Sequence, residues 1–331
     1  MSNREMVKYS DKELDDLMCE YGPYFYNIND INKEELELVR HFRLRFVDRT
    51  RTLNQKNQYR ILSEVPTGTI NKSFKDLCSD QAENLKDQDM ILMWSGGLDS
   101  TTVFYALKNA GCRFTVLFND NSIEEFPELG KELLEKKHDK VVSMYKDSKT
   151  FNLLDFVVAN PEIKLLTGEI GDQIFGSVVG YRLPYEVRQQ HYSKVIPISV
   201  AKILNPIVSK VLPKGLRDTT VAEYYWACNF LCKYQNVQIR MAFQYQVAPV
   251  KPFNNAIHFF DTEGFNLWGM QNYEENATYK SENTYKPEMR KYLKEMGCNE
   301  EYTNTKIKVG SLREALYDAG RPKFNRVQII G

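Results

Sequence analysis

The chain has 331 residues, 42% of them apolar, enough to bury a sizeable core and, at ordinary domain sizes, to form roughly two domains. Its 44 lysines and arginines balance 44 aspartates and glutamates, which excludes a protein held by overall charge on nucleic acid or an acidic membrane. The charged start Met1-Ser2-Asn3-Arg4-Glu5, and the lack of any uncharged apolar run near the ~18 residues a span needs, exclude a secretion signal and a membrane segment. A cytoplasmic location without a membrane partner is expected.

In chain order, residues 1 to about 86 read as a helical lead-in. Ser10-x-x-Glu13 is a capping box, and a helix start at Asn32-x-x-Glu35 precedes Leu36, Val39, Phe42 and Phe46 at helical spacing. Between Arg40 and Arg60 lie seven basic residues, Arg40, Arg43, Arg45, Arg49, Arg51, Lys56 and Arg60, against Asp48. A solvated helix face is the plainer reading of this run; contact with an anionic substrate or RNA is the other.

From residue 89 short apolar runs alternate with helical ones. Met90 to Trp94, Phe114 to Phe118, Val141 to Met144 and Ile163 to Thr167 read as strands. Ser100 to Asn109, Pro127 to Lys136 and Phe151 to Val158 read as the helices between them. This order implies an α/β fold, a parallel twisted sheet with helices on both faces and ligands beyond the carboxyl ends of its strands. After about residue 177 helices dominate: Ser199 to Leu212, Thr220 to Tyr234 behind a Thr220-x-x-Glu223 capping box, and Gln235 to Gln246. The last 50 residues are polar. The six cysteines are scattered and read as buried free thiols, with Cys228 and Cys232 packed in the core; the four histidines are dispersed and build no metal cluster.

Ser95-Gly96-Gly97-Leu98-Asp99-Ser100 falls between a strand and a helix. There glycines let backbone N–H groups turn inward, and the helix N-terminus adds the positive end of its dipole, a geometry suited to pyrophosphate. Ser95 and Ser100 can donate to phosphate oxygens, whereas Asp99 can approach the same polyanion only through a metal, so Mg²⁺ is implied. A second acidic pair, Glu169 and Asp172, follows the strand candidate Ile163 to Thr167 within Thr167-Gly168-Glu169-Ile170-Gly171-Asp172-Gln173-Ile174-Phe175-Gly176. From the end of a second strand of the same sheet Asp172 can share the metal with Asp99, leaving Glu169 for proton chemistry.

The first motif resembles the S-G-G-x-D-S signature of the PP-loop ATP pyrophosphatases, which release AMP and pyrophosphate. The second resembles the G-E-G-x-D-E-x-F-G-G motif of asparagine synthetase, β-lactam synthetase and the lasso-peptide cyclases, with Ile170 in place of a glycine and Gln173 in place of a glutamate, departures on the substrate side. Ala248-Pro249-Val250-Lys251-Pro252-Phe253-Asn254-Asn255 loosely resembles the family's A-R-V-P-F-L-D, and Thr305-Lys306-Ile307-Lys308-Val309 lies where relatives place R-P-K. The resemblance implies a helical region over 1–86 and a PP-loop domain over 87–331, whose acceptor-side helical part begins at about 177. It implies an ATP-binding set of Met93, Ser95, Gly96, Gly97, Asp99, Ser100, Phe118 and Gly168, metal held by Asp99 and Asp172, and catalysis by Glu169 and Lys306, with Lys308 second to Lys306.

The expected activity is ATP-dependent amide formation: a small-molecule carboxylate is adenylated with loss of pyrophosphate, and ammonia or an amine then displaces AMP. Some 86 residues before the sheet are too few for the glutaminase domain of the glutamine-dependent synthetases, so ammonia is expected free or from a separate supplying partner. The other readings are an RNA-modifying or nucleobase-modifying enzyme, for which only the Arg40 to Arg60 run speaks, and a nucleotide-binding subunit with reduced turnover.

Overall fold

The structure, a computed structural model, describes residues 32–42, 47–55, 60–135, 164–176, 183–238, 256–281, 284–307 and 324–329. One sheet of five strands, Met90–Met93 (β1), Phe114–Asn119 (β2), Lys164–Thr167 (β3), Ala256–His258 (β4) and Phe324–Ile329 (β5), runs in the order β4-β3-β1-β2-β5. The first four strands are parallel, with Met90 of β1 in register with Phe114 of β2 and Lys164 of β3. β5 is antiparallel to β2, Phe324 facing Asn119.

Every residue of β1 and β2 is buried, which is why these strands read as unbroken apolar runs rather than as alternations. β4 has three residues, too few for a periodic signal, and β5 is a short alternation within a polar stretch; neither was expected. The expected strand Val141 to Met144 and helix Phe151 to Val158 lie outside the described residues.

The helices are Lys33–Phe42 (α1), Phe74–Asn84 (α2), Leu98–Asn109 (α3), Asp120–Glu125 (α4), Pro127–Glu135 (α5), Gly171–Phe175 (α6), Tyr185–Arg188 (α7), Ile198–Val208 (α8), Val221–Cys228 (α9), Glu263–Gln271 (α10), Tyr273–Ala277 (α11), Pro287–Glu295 (α12) and Glu300–Thr305 (α13). α3 follows β1 directly and is buried along nearly its whole length, in contact with β1, α2 and α12. The capping box at Thr220 and Glu223 forms at the start of α9, and the one at Asn32 forms as Asn32 N–H to Glu35 (3.0 Å) and Glu35 N–H to Asn32 Oδ1 (2.9 Å). α9 does not break near residue 234: it passes through a π-helical turn, Asn229–Lys233, and continues as α-helix over 234–238.

The lead-in departs from the sequence reading in two ways. α1 buries Glu35, Leu38 and Phe42, a face turned by about one residue from the one Leu36 and Val39 suggested. Residues 47–55 and 60–73 contain no helix, because polar side chains there hold the backbone in turns. Asp48 accepts from the N–H groups of Thr50, Thr52 and Leu53 at 2.7–2.8 Å. Arg49 is not on a solvated face: it is 1% exposed, lies 3.7 Å over the Tyr234 ring and donates to the carbonyls of Ser63, Glu64 and Phe230 and to Asn266 Oδ1. Burial pulls its pKa down, opposed by Tyr234, Asp261 and Glu64. The cysteines at 78, 112, 228, 232 and 298 are free and buried, as expected, with thiols pushed up by burial. Among the described residues no helix is long and apolar enough to cross a membrane.

Candidate active site between the ends of β1 and β3

β2 lies on one side of β1 and β3 on the other, so the chain leaves these adjacent strand ends in opposite directions. In an open parallel sheet that is where a crevice forms. Both acidic motifs open onto it: Ser95 to Ser100 follows β1, and Gly168 to Asp172 follows β3.

The first loop is braced from behind. Tyr302 donates its hydroxyl to Gly96 O (2.8 Å), stacks on Phe126 at 3.8 Å and bonds Thr101 Oγ1 at 3.2 Å. Ser122 Oγ donates to Trp94 O (2.9 Å), and Trp94 Nε1 donates to Thr101 Oγ1 (3.0 Å). Gly96 has φ 77°, and a Cβ there would stand 2.4 Å from Ser122 O, so only glycine fits. Gly97 caps α3 without a side-chain bond, leaving the first-turn N–H groups without a side-chain acceptor at the N-cap. Ser95 and Ser100 join through their hydroxyls at 3.0 Å, and Ser100 Oγ also takes the Ser95 N–H at 3.1 Å.

The two loops touch. A Cβ on Gly168 would meet Ser100 N at 2.7 Å, and one on Gly171 would meet Asp99 Oδ1 at 2.1 Å. This approach brings Asp99 and Asp172 together, both partly exposed, onto one ammonium: Lys286 Nζ contacts both Asp99 oxygens and lies 2.8 Å from Asp172 Oδ1. Burial alone would pull the Lys286 pKa down, but Asp172 and Asp99 overcome it and hold the group well above its ordinary value. Lys286 belongs to no motif in the sequence, and an isolated Lys-Pro gave no signal of it.

Glu169 is half-buried at the rim of the second loop. Its N–H donates to Thr167 Oγ1 at 3.2 Å, Thr167 Oγ1 lies 2.7 Å from His258 Nδ1, and His258 Nε2 lies 2.8 Å from Gln238 O. With Nε2–H donating to that carbonyl, Nδ1 accepts the Thr167 hydroxyl, which in turn accepts the Glu169 N–H. His258 thus supports the loop that carries Glu169, a role its isolation in sequence concealed.

Lys306 stands on the other flank of the first loop. It is almost buried, and its Nζ donates to Glu125 Oε2 (2.7 Å), an oxygen 3.9 Å from where a Gly97 Cβ would be. Burial raises the Glu125 pKa, an effect Lys306 opposes. Arg290 ties the two lysine segments together, donating to Tyr285 O at 2.7 Å and to the carbonyls of Thr303 and Lys306 at 2.6 and 2.5 Å. Lys308 lies outside the described residues, as does Arg321-Pro322-Lys323, where the string R-P-K itself occurs.

Two expected nucleotide contacts are less open. Phe118 is 1% exposed and packs edge-on against Trp94, so its side chain is in the core, and Met93 is nearly buried at the end of β1. Gln173 is also interior, its amide donating to Asn229 Oδ1 at 3.2 Å, so this departure from the motif does not face an open acceptor surface.

Among the described residues no cluster of three or more His, Cys, Asp or Glu side chains is gathered for a metal ion. The two carboxylates nevertheless fit one hard cation, because they already converge on a cation, the Lys286 ammonium, from opposite loops. No protein-family model, curated protein or solved structure matches the chain.

Proposed function

We propose that the protein is an ATP-dependent amide-forming synthetase of the asparagine-synthetase type, built on a PP-loop fold, that adenylates a small-molecule carboxylate and passes the acyl group to ammonia or an amine. The observation that carries this reading is the convergence of Asp99 and Asp172, from two loops at adjacent parallel strand ends, on a single cation position beside an α-helix N-terminus. Nothing in a structural turn requires two acids to meet there.

In this reading the first-turn N–H groups of α3 and the Ser95 and Ser100 hydroxyls bind the phosphates. Asp99 and Asp172 would hold Mg²⁺, which supplies neutralisation of the pyrophosphate charge. Lys306, beside Gly97, offsets negative charge as the substrate carboxylate attacks the α-phosphorus and the bond to pyrophosphate breaks. Glu169 then takes a proton from the amine that displaces AMP. Its loop is fixed by Thr167 and His258, so the carboxylate is presented rather than left to search.

Pyrophosphate release over a panel of carboxylic acids, with ammonia and simple amines and the product weighed by mass spectrometry, tests the reading. Asp99→Ala is expected to abolish release, and Glu169→Gln to spare it while slowing amide formation by about 10²-fold or more. AMP formation by folded Asp99→Ala at the wild-type rate would overturn the assignment. The RNA-modifying reading loses part of its one support, since Arg49 is spent inside the protein.

A further inference from the structure

An ammonium has three N–H donors. At Lys286 three carboxylate oxygens receive them, both of Asp99 and Oδ1 of Asp172, in a place where the lysine side chain is 1% exposed. The two carboxylates engage the ammonium, and the position on which both acids converge is filled. A divalent cation bound by the same oxygens would need that position, and two cations in one poorly solvated site repel strongly. Ammonium and metal therefore exclude each other.

A second observation concerns the backbone. Lys286 has φ 57° and ψ 56°, the left-handed region, although the following residue is Pro287, which favours an extended conformation in the residue before it. Two contacts anchor the same segment: the Tyr285 ring lies 5.0 Å from Nζ, and Arg290 Nε donates to the Tyr285 carbonyl at 2.7 Å. Release of the two acids would let residue 286 return to extended backbone and carry its ammonium away from them.

We propose that Lys286 is a tethered counter-ion that closes the Asp99–Asp172 pair to free divalent cations and yields only to a metal carried in on the phosphates of a nucleoside triphosphate. The triphosphate supplies what a bare metal lacks, anionic oxygens to receive the displaced ammonium. The clause on the triphosphate rests on the function proposed above; the exclusion of free metal does not.

Binding of Mn²⁺ to the full chain, measured by titration calorimetry with and without α,β-methylene ATP, tests both clauses. Wild type is expected to bind Mn²⁺ weakly alone and tightly with the nucleotide. Lys286→Met is expected to bind Mn²⁺ alone about tenfold or more tightly than wild type, the gain disappearing in Lys286→Met/Asp99→Asn, while Lys286→Arg keeps the exclusion. Since Lys286→Met leaves two acids without their counter-charge, its melting temperature is read alongside: Mn²⁺ raises it and leaves wild type unmoved. Equal Mn²⁺ affinity in wild type and Lys286→Met, or a Lys286→Met protein that stays unfolded with Mn²⁺ present, overturns the proposal. Neither result bears on the synthetase reading, which stands or falls on pyrophosphate release.

Discussion

At the scale of single residues, the site depends on atoms that are absent. Gly171 lets α6 begin against Asp99, and the 2.1 Å that a Cβ would have to the Asp99 carboxylate leaves no room for accommodation without moving that carboxylate. Gly171→Ala is therefore predicted to displace Asp99 from its place beside Asp172 and lower pyrophosphate release by about 10²-fold. Its stability should fall by only about 1–3 kcal/mol, since the backbone at Gly171 is helical and tolerates alanine. Release within threefold or so of wild type would mean that Asp99 acts from some other position. The neighbouring Ile170 gives physical content to a departure already visible in the sequence. It stands where the resembled motif has glycine, and its φ of 75° is the left-handed backbone for which glycine is suited and a β-branched residue is an outlier. Its side chain is 1% exposed, so burial in the core holds a conformation that local preference opposes.

The Glu125–Lys306 pair carries a prediction about pH. Burial holds the Glu125 carboxyl above its ordinary value of 4.5, so the folded state keeps that proton more firmly than the unfolded chain does. Stability from this group is complete below the unfolded value and is lost as pH rises through the folded one. Lys306 opposes the rise, and removing it should widen the window. Lys306→Met is predicted to cost about 2–4 kcal/mol at neutral pH and much less near pH 5, with Glu125→Gln/Lys306→Met recovering most of the loss. Urea denaturation of the three proteins at both pH values measures this, and a pH-independent loss would show that packing of the lysine stem, not charge, is what matters.

At the scale of elements, the π-helical turn Asn229–Lys233 joins the site to the rest of the protein. Asn229, at its start, donates through Nδ2 to Asp172 O (2.7 Å) and Gly176 O (3.1 Å) and accepts from Gln173 Nε2, so it clamps both ends of α6. The carbonyls of Phe230, Leu231 and Cys232 accept from the Arg49 guanidinium, the Arg49 N–H and the Val47 N–H, at 3.0–3.2 Å. Turns of this kind often mark functional sites. Asn229→Ala removes three hydrogen bonds around α6, those to the carbonyls of Asp172 and Gly176 and the one from Gln173 Nε2, whose amide is buried. It is predicted to cost about 2–4 kcal/mol in urea denaturation and to weaken pyrophosphate release through Asp172. Stability within about 0.5 kcal/mol of wild type would remove the clamp from the account. None of this was legible in sequence, where residues 220–234 read as an ordinary helix: hydrophobic period does not distinguish a π turn, and the partners of its carbonyls lie some 180 residues away.

At the scale of the molecule, the legible part was whatever short-range physics dictates. Buried parallel strands appear as apolar runs, a glycine loop between strand and helix as a tight turn at a helix N-terminus, and capping boxes as helix starts, so β1, β2, β3, α3 and the meeting of Asp99 with Asp172 could be anticipated. What stayed hidden depends on distant partners: Lys286, Glu125, His258 behind Glu169, the antiparallel β5, and the fate of the lead-in. The lead-in bears on how far the chain divides. The change of pattern after the lead-in suggests a break near residue 86, yet Phe74 of α2 meets the rings of Phe175, Phe260, Phe265, Trp268 and Tyr292 at 5.2–6.3 Å, and Leu38, Phe42, Leu77 and Ala82 share the core that contains Trp94 and Leu166. Gln235, fully buried, bonds the backbone of Arg60 and Leu62. Removing the lead-in would uncover Phe175, one residue from the end of the second motif, and leave the Arg49 acceptors on the π turn without a donor. A chain starting at residue 87 is accordingly predicted to aggregate or to give a broad, non-cooperative melt. Phe74→Ala in the full chain should cost about 3–5 kcal/mol and lower a single shared transition, not split it in two. Calorimetry of both proteins decides: a sharp melt of the shortened chain with pyrophosphate release intact would make residues 1–86 a separable domain.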